Sequence, residues 1–401
     1  MIYLLSFLMN MVTGLMIFSN PLLAINRLDA SIFALGALGS VASGTYSIGC
    51  AFAGRLADRW GAKRMMALGC VILFFVYPGI LLVRELWQLF VFVIISPLSG
   101  ALFWPALMKQ VGEEERKENL QARVGGFNMA WSAGIMVGPF LGGRLYPIDY
   151  RLAYYIASAL CLTTLMLVLT SARKRIERVK ESQPAAEPVP ADPCLKRFIY
   201  IGWLANFAAW FSISSAEALF PKLALTLGVQ PKTLGTLLAF VGFGQVLMFA
   251  LLRKTARWHY NLPLLVGFQA VGMLSLLVFT LNCSLPLFGI AFLIMGLCSG
   301  LCYFSSLFYS LYQQEGKGQK SGFHESILAA AVSLGPLSGG ALARVWQSSL
   351  WGLARNARAE HPEFGLRAPY VLCFGISAVS LSVQYLLAKR WKISRTAVDP
   401  T

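Results

Sequence analysis

Charged residues are scarce in this chain. Lys, Arg, Asp and Glu make up 13% of its 401 residues, while hydrophobic types reach 57% and the mean hydropathy is +0.63. Soluble domains carry roughly a quarter charged residues. The few charges cluster in short segments and leave apolar stretches of roughly 20 residues, the length that crosses a bilayer as a helix. This composition excludes a soluble globular protein and predicts an all-α polytopic membrane protein.

Signatures of enzymes and metal sites are also lacking. The sequence has no GxxxxGK[ST] phosphate loop, no HExxH and no GxSxG, and its eight cysteines form no CxxC pair. Most cysteines lie inside apolar stretches, and there are only three histidines. We therefore expect no enzymatic activity, no metal, no cofactor and no disulfide. The net charge of +16 does not indicate a nucleic-acid partner, because the basic residues lie beside the ends of apolar stretches.

The apolar stretches predict twelve transmembrane helices. They fall at about 2–25, 32–53, 64–83, 87–108, 122–146, 152–172, 198–221, 232–252, 260–280, 286–312, 320–346 and 368–388. The first stretch has no basic leader and no small-residue cleavage site, so we interpret it as a span.

The longest polar interruption predicts the domain organisation. Residues 173–197 contain RKRIERVK and a proline-rich segment, which is typical of a solvated linker. The linker divides the chain into an N-terminal half (1–172) and a C-terminal half (198–401), with six spans in each. Segments on the linker's side hold about 24 of the 34 Lys and Arg, which makes that side cytoplasmic by the positive-inside rule. Both termini are then cytoplasmic and the chain lies in the cell membrane, or in the inner membrane of a Gram-negative source.

A repeated glycine motif relates the two halves. Both the fifth and the eleventh spans carry GPxxGG, 197 positions apart. Small residues at this spacing let helix backbones approach closely. The repeat predicts a tandem duplication, with helix packing at Gly138, Pro139, Gly142, Gly143, Gly335, Pro336, Gly339 and Gly340.

A second motif lies between spans two and three. The segment Gly54-Arg55-Leu56-Ala57-Asp58-Arg59-Trp60-Gly61-Ala62-Lys63-Arg64 resembles the GxLaDrxGrkr signature of the major facilitator superfamily (MFS). Twelve spans in a six-plus-six arrangement extend the resemblance over nearly the whole chain. The resemblance implies a gate motif at Gly54, Asp58, Arg59, Gly61, Lys63 and Arg64.

The resemblance also implies how this protein works. In the family, the aspartate at the position of Asp58 latches the halves by facing the amino end of span eleven. A cavity between the halves opens alternately to each side and is lined mainly by spans 1, 4, 7 and 10. The GPxxGG of span five resembles the antiporter motif of drug exporters. The sequence departs from those exporters at Ser96, where they tend to carry an arginine.

Only two acidic residues lie within the predicted spans, and a carboxylate in hydrocarbon is costly enough to be a candidate functional group. Glu217 lies in span seven and Glu325, with His324 beside it, in span eleven. A carboxylic acid and an imidazole can bind and release protons, so all three are candidates for proton coupling. Alternatively, Glu217 reaches interfacial water or pairs with Lys222, and Glu325 forms a salt bridge with a basic residue at the gate.

Polar and aromatic side chains share faces of the cavity-lining spans. Residues of span seven step by four and three, which places them on one helical face, and span ten carries a row of hydroxyls that we expect opposite the aromatics of span four. Asn128 is the counterpart of Glu325 in the repeat. The alternative for the aromatic residues is packing. The candidate solute-cavity residues are Phe103, Trp104, Asn128, Trp203, Phe207, Trp210, Ser214, Ser299, Tyr303, Ser306 and Ser310.

These observations predict a monomeric secondary transporter of a small organic solute that works by alternating access. Its expected partners are the solute, protons and membrane lipids, and proton-coupled antiport or efflux is one form of the hypothesis. An uncoupled facilitator or a lipid flippase is the alternative within transport. A transporter-like membrane sensor is the alternative of another class, although the intact gate motif and the short loops do not favour it.

Overall fold

The structure is a computed structural model that describes residues 1–113, 120–170, 193–281, 284–312, 317–349 and 363–391. These residues form twelve long helices and one short 3₁₀ turn, Phe364–Arg367, with no strand in the described ranges. The helices are α1 (Ile2–Leu28), α2 (Ile32–Trp60), α3 (Ala62–Ile80), α4 (Leu86–Glu113), α5 (Leu120–Leu145), α6 (Leu152–Thr170), α7 (Pro193–Thr226), α8 (Pro231–Lys254), α9 (Leu262–Leu281), α10 (Leu285–Tyr312), α11 (Lys317–Ser349) and α12 (Ala368–Trp391).

The predicted all-α fold with twelve helices is confirmed. Within the described residues, eleven helices are long and apolar enough to cross a membrane. The other long helix is α5, which contains six glycines together with Gln121, Arg123 and Asn128. It packs extensively against α1 and α8, so little of its surface needs to be apolar for contact with lipid.

Several helices extend beyond the predicted spans, and the boundaries of α2 and α7 bear on the gate motif and the linker. α2 continues to Trp60, so most of the gate motif is helical and the chain turns only at Gly61, whose φ of 85° favours glycine. α7 begins at Pro193, inside the predicted linker, because proline is compatible with a first helical turn. Residues 171–192 of that linker lie outside the described residues, so its boundaries stay a prediction.

The helices form two six-helix bundles, α1–α6 and α7–α12. In the first bundle α5 packs on α1, and α3 packs on α4 and α6; in the second, α11 packs on α7, and α10 on α8 and α9. The bundles meet along two extensive seams, between α5 and α8 and between α2 and α11.

Glycines of the first GPxxGG motif hold α5 between α1 and α8. A Cβ added to Gly138 would lie 2.6 Å from the Cα of Gly14 in α1, and one on Gly143 would lie 3.0 Å from the Cα of Gly235 in α8. Carbon atoms pack no closer than about 3.5 Å, so only glycine permits these approaches. The motif therefore lets one face of α5 pack closely on α1 of its own bundle and a second face pack closely on α8 of the other bundle.

The second GPxxGG motif repeats this arrangement in α11. A Cβ on Gly335 would lie 2.5 Å from the carbonyl oxygen of Phe211 in α7, and one on Gly340 would lie 2.9 Å from that of Ile32 in α2. Thus α11 relates to α7 and α2 as α5 relates to α1 and α8. The duplication seen in the sequence is also present in the packing.

Candidate functional site

Three aromatic side chains from both bundles meet at the junction between the halves. The ring centroid of Trp131 in α5 lies 5.8 Å from that of Trp210 in α7 and 6.3 Å from that of Tyr303 in α10. Trp210 and Tyr303 are 5.8 Å apart. We call these residues the junction cluster. Because Trp131 is its only member from the first bundle, the cluster forms a direct contact between the halves.

His324 of α11 borders the junction cluster. Its ring centroid lies 5.2 Å from that of Tyr303, and its Nδ1 shares a 2.7 Å hydrogen bond with Ser306 Oγ in α10. Its Nε2 lies 3.9 Å from Glu325 Oε1. His324 is fully buried whereas the side chain of Glu325 is 61% exposed, so the pair connects the buried cluster to an open surface.

Several buried polar atoms around the cluster have no hydrogen-bond partner among the described residues. They include Trp210 Nε1, Asn128 Nδ2, His324 Nε2 and both amide atoms of Asn206. Asn128 precedes Trp131 by three residues and Asn206 precedes Trp210 by four, which places each amide on the same helical face as its indole. A buried polar group without a partner costs about 1–3 kcal/mol. A polar ligand at this place would satisfy such groups.

The two membrane carboxylates lie on different sides of the cluster. Glu325 is beside His324 near the start of α11, within electrostatic range of Tyr46 and Cys50 in α2. Glu217 is half-buried and follows Trp210 by seven residues, about 10 Å along α7 toward the C-terminal end of that helix.

A buried polar chain also connects the bundles. Ser132 Oγ donates to Gln245 Oε1 over 3.3 Å, and Gln245 Nε2 donates to Ser299 Oγ over 3.2 Å. This chain joins α5, α8 and α10. Sequence reasoning identified Ser299 but missed Ser132, Gln245 and Trp131. The signal for Gln245 was available, since it is an amide in the middle of an otherwise apolar span.

Other predicted cavity residues extend the site toward the starts of α7 and α11. Trp203 donates from Nε1 to Ser310 Oγ over 3.1 Å and stacks on Phe323. Phe207 contacts Phe211 of its own helix, and Ser214 is buried.

Phe103 and Trp104 of α4 contact each other edge to face. Phe103 is also near Gly69 of α3, within the first bundle. The sequence expectation placed α10 opposite these two aromatics. The described ring contacts of Tyr303 in α10 are with Trp131, Trp210, Phe249 and His324.

The gate motif lies at the junction of α2 and α3. Lys63 Nζ donates to the carbonyl oxygen of Leu169 at the end of α6 over 2.7 Å, and Arg59 is exposed. The backbone of Asp58 is helical, and its side chain lies outside the described part. The latch role of Asp58 therefore stays a prediction.

Side-chain hydrogen bonds cross both seams. Between α5 and α8, Gln121 Nε2 donates to the carbonyl oxygens of Leu252 and Thr255. Between α2 and α11, Ser40 donates to the carbonyl oxygen of Ser333. Nearer the start of α11, the side chains of Phe323 and Glu325 are exposed. No cluster of three metal-binding side chains occurs within the described ranges.

Comparison with known proteins agrees with this architecture of a polytopic helical transporter. Residues 2–315 match the Major Facilitator Superfamily. The chain belongs to that superfamily.

Among curated relatives, Multidrug resistance protein 1 of Bacillus subtilis (strain 168) is 25% identical over 209 residues, covering 52% of this chain and 53% of the relative. The match thus spans about half of that protein's length. Multidrug resistance protein MdtH of Proteus mirabilis (strain HI4320) is 24% identical over 363 residues, covering 87% and 84%.

Solved structures of other transporters share the fold. A bacterial homologue of the human lysosomal transporter Spinster, in an inward-facing and occupied conformation, aligns with a TM-score of 0.71 at 16% identity over 100% of this chain and 97% of that one. The nucleoside transporter NupG aligns with a TM-score of 0.68 at 13% identity over 97% and 98%. At these identities the likeness concerns the fold alone.

Proposed function

We propose that this protein is a secondary transporter that exports a small amphipathic organic solute in exchange for protons by alternating access. The observation that carries the proposal is the junction cluster, where Trp131 of one half meets Trp210 and Tyr303 of the other beside unpartnered polar atoms. Rocking of the halves would separate these rings and expose the atoms to a solute. The names of the two multidrug resistance relatives support export as the direction.

Proton exchange is assigned to the two membrane carboxylates. The side chain of Glu325 is exposed next to the buried His324, and Glu217 lies beyond the cluster along α7. A carboxyl group that alternates between a wet and a dry environment binds a proton in one state and releases it in the other. The positions of Glu325 and Glu217 on different sides of the cluster are compatible with such alternation.

The test begins with a search for the solute. Compounds are screened for thermal stabilisation of the purified protein, because a ligand of the folded state raises its apparent stability. In proteoliposomes, Glu217→Gln or Glu325→Gln should abolish uphill transport of a hit driven by a pH gradient while downhill exchange continues. Glu85→Gln, in an exposed loop, is the matched control and should transport normally.

Continued accumulation in both single variants and in the double variant would overturn proton coupling through these residues. The uncoupled facilitator or flippase would then be the better interpretation. Absence of transport for every stabilising compound would contradict the transporter assignment for this site.

A further inference from the structure

An apolar groove opens on the first bundle, away from the junction cluster. It has a volume of about 380 Å³ and lies between α2, α3 and α4. Apart from Ser99, whose hydroxyl donates to Ile95 within α4, its lining consists of apolar residues and one glycine. The walls include Ile48, Phe52, Leu56, Ile72, Leu98 and Leu102.

The groove faces away from the other bundle. On α2, Gly36 contacts α11, whereas Phe52 and Leu56 lie roughly 160° and 200° around the helix from Gly36 at about 100° per residue. The third wall is α3, which packs on α4 and α6 of its own bundle. At the rim of the groove, the side chains of Ile48 and Phe52 are 63% and 66% exposed. In a protein of this superfamily, such a face contacts the lipid.

The length of the groove corresponds to one leaflet. From Ile48 to Leu56 it extends for about 12 Å along α2, at 1.5 Å per residue. Half of a hydrocarbon core of about 30 Å is about 15 Å. The groove can therefore hold most of one acyl chain.

Basic and interfacial residues lie at one end of the groove. Arg59 follows Leu56 by three residues on the same face of α2 and is exposed, and Arg64 lies in the first turn of α3. Trp60 is 52% exposed beside Arg59, as expected for an indole at headgroup depth. Residues 54–64 carry four Lys or Arg and one Asp. An anionic headgroup complements this end, whereas a zwitterionic one does so less well.

We infer that this groove is a binding site for one acyl chain of an anionic phospholipid whose headgroup contacts Arg59 and Arg64. On the orientation predicted from the positive-inside rule, the lipid belongs to the cytoplasmic leaflet. The site is separate from the junction cluster, so lipid binding does not depend on the proposed transport activity.

Lipid retention on the intact, purified protein tests the site. Native mass spectrometry counts phosphatidylglycerol and phosphatidylcholine molecules retained from equimolar mixtures. Two basic contacts should favour phosphatidylglycerol roughly tenfold or more. Arg59→Gln with Arg64→Gln should remove this preference, while Lys389→Gln with Arg390→Gln, a matched pair at the end of α12, should keep it.

A second variant tests the apolar wall. Phe52→Ser should lower retention of both lipids, whereas Phe75→Ser, whose side chain is 67% exposed and does not line the groove, should not. All these side chains are at the surface, so the variants should fold. Equal retention of the two lipids by the unaltered protein would overturn the proposal, as would equal losses in the test and control variants.

Discussion

The indole of Trp131 lies parallel to the phenol ring of Tyr303, with 6.3 Å between the ring centroids and 3° between the ring planes. The two residues belong to different bundles and are both half-buried. Rocking of one bundle against the other cannot leave both rings in place. The contact should therefore stabilise one conformational state of the protein over the other.

Trp131→Ala should shift the balance between these states. An aromatic pair is worth about 0.5–1.5 kcal/mol, which changes a two-state ratio roughly two- to twelve-fold. The shift can be measured by the rate at which a cysteine introduced at Ser326, exposed near the start of α11, reacts with a maleimide. Trp346→Ala removes an indole that stacks on Phe364 within one half, so it should leave that rate unchanged.

Asp58→Asn should shift the protein toward the state that is open on the gate side. A latch of about 1–3 kcal/mol moves a balanced equilibrium five-fold or more. The same Ser326→Cys labelling reports the change, with Glu85→Gln as the control. An unchanged labelling rate would show that Asp58 does not act as the latch.

Gly138→Ala should destabilise the protein by about 1–3 kcal/mol, because the added Cβ would overpack the contact with Gly14. Gly335→Ala should have a similar effect through its repeat-related position. Gly375→Ala is the control, since its Cβ would meet nothing within 4 Å. Thermal unfolding in detergent measures all three, and comparable losses at Gly138 and Gly375 would contradict the packing role.

Acidic pH should destabilise the packing of the loop between α8 and α9. Burial lowers the pKa of His259 to about 4, and its ring packs 4.3 Å from Trp258 and 4.5 Å from Phe308. The unfolded chain takes up this proton near pH 6.5. The contribution of the neutral imidazole to stability is thus complete above about pH 6.5 and decreases as the pH falls toward 4.

His259→Phe keeps an aromatic ring but cannot titrate. The melting temperature of this variant should decrease less than that of the unaltered protein between about pH 7 and pH 5. The same decrease in both proteins would show that His259 does not cause the loss.

The orientation of the chain can be tested at the predicted linker. A cysteine introduced at Pro188 should react with a membrane-impermeant reagent only from the cytoplasmic side, because the basic residues cluster on that side of the spans. Labelling of intact cells from outside would show that the topology is the reverse of the predicted one. The lipid site would then lie in the other leaflet.

The sequence by itself determined the twelve helices and the all-α fold. A helix in hydrocarbon must satisfy its own backbone and present apolar side chains over a fixed length, so each span leaves a local record in the sequence. Even Gly138 and Gly335 were recognisable, because close backbone approach requires glycine and the motif occurs twice. The helix ends were less well determined: α2 continues through the gate motif to Trp60, and α7 begins inside the predicted linker.

Only the tertiary structure decided which residues form the site. Trp131 and Tyr303 are 172 positions apart in the sequence, and their contact depends on how α5 and α10 are rotated about their own axes. Hydropathy does not encode that rotation, since an aromatic residue is equally apolar facing lipid, another helix or a cavity. The link from Ser132 through Gln245 to Ser299 likewise exists only because three helices converge. Local patterns therefore specify the helices, while the packing of both bundles specifies the site.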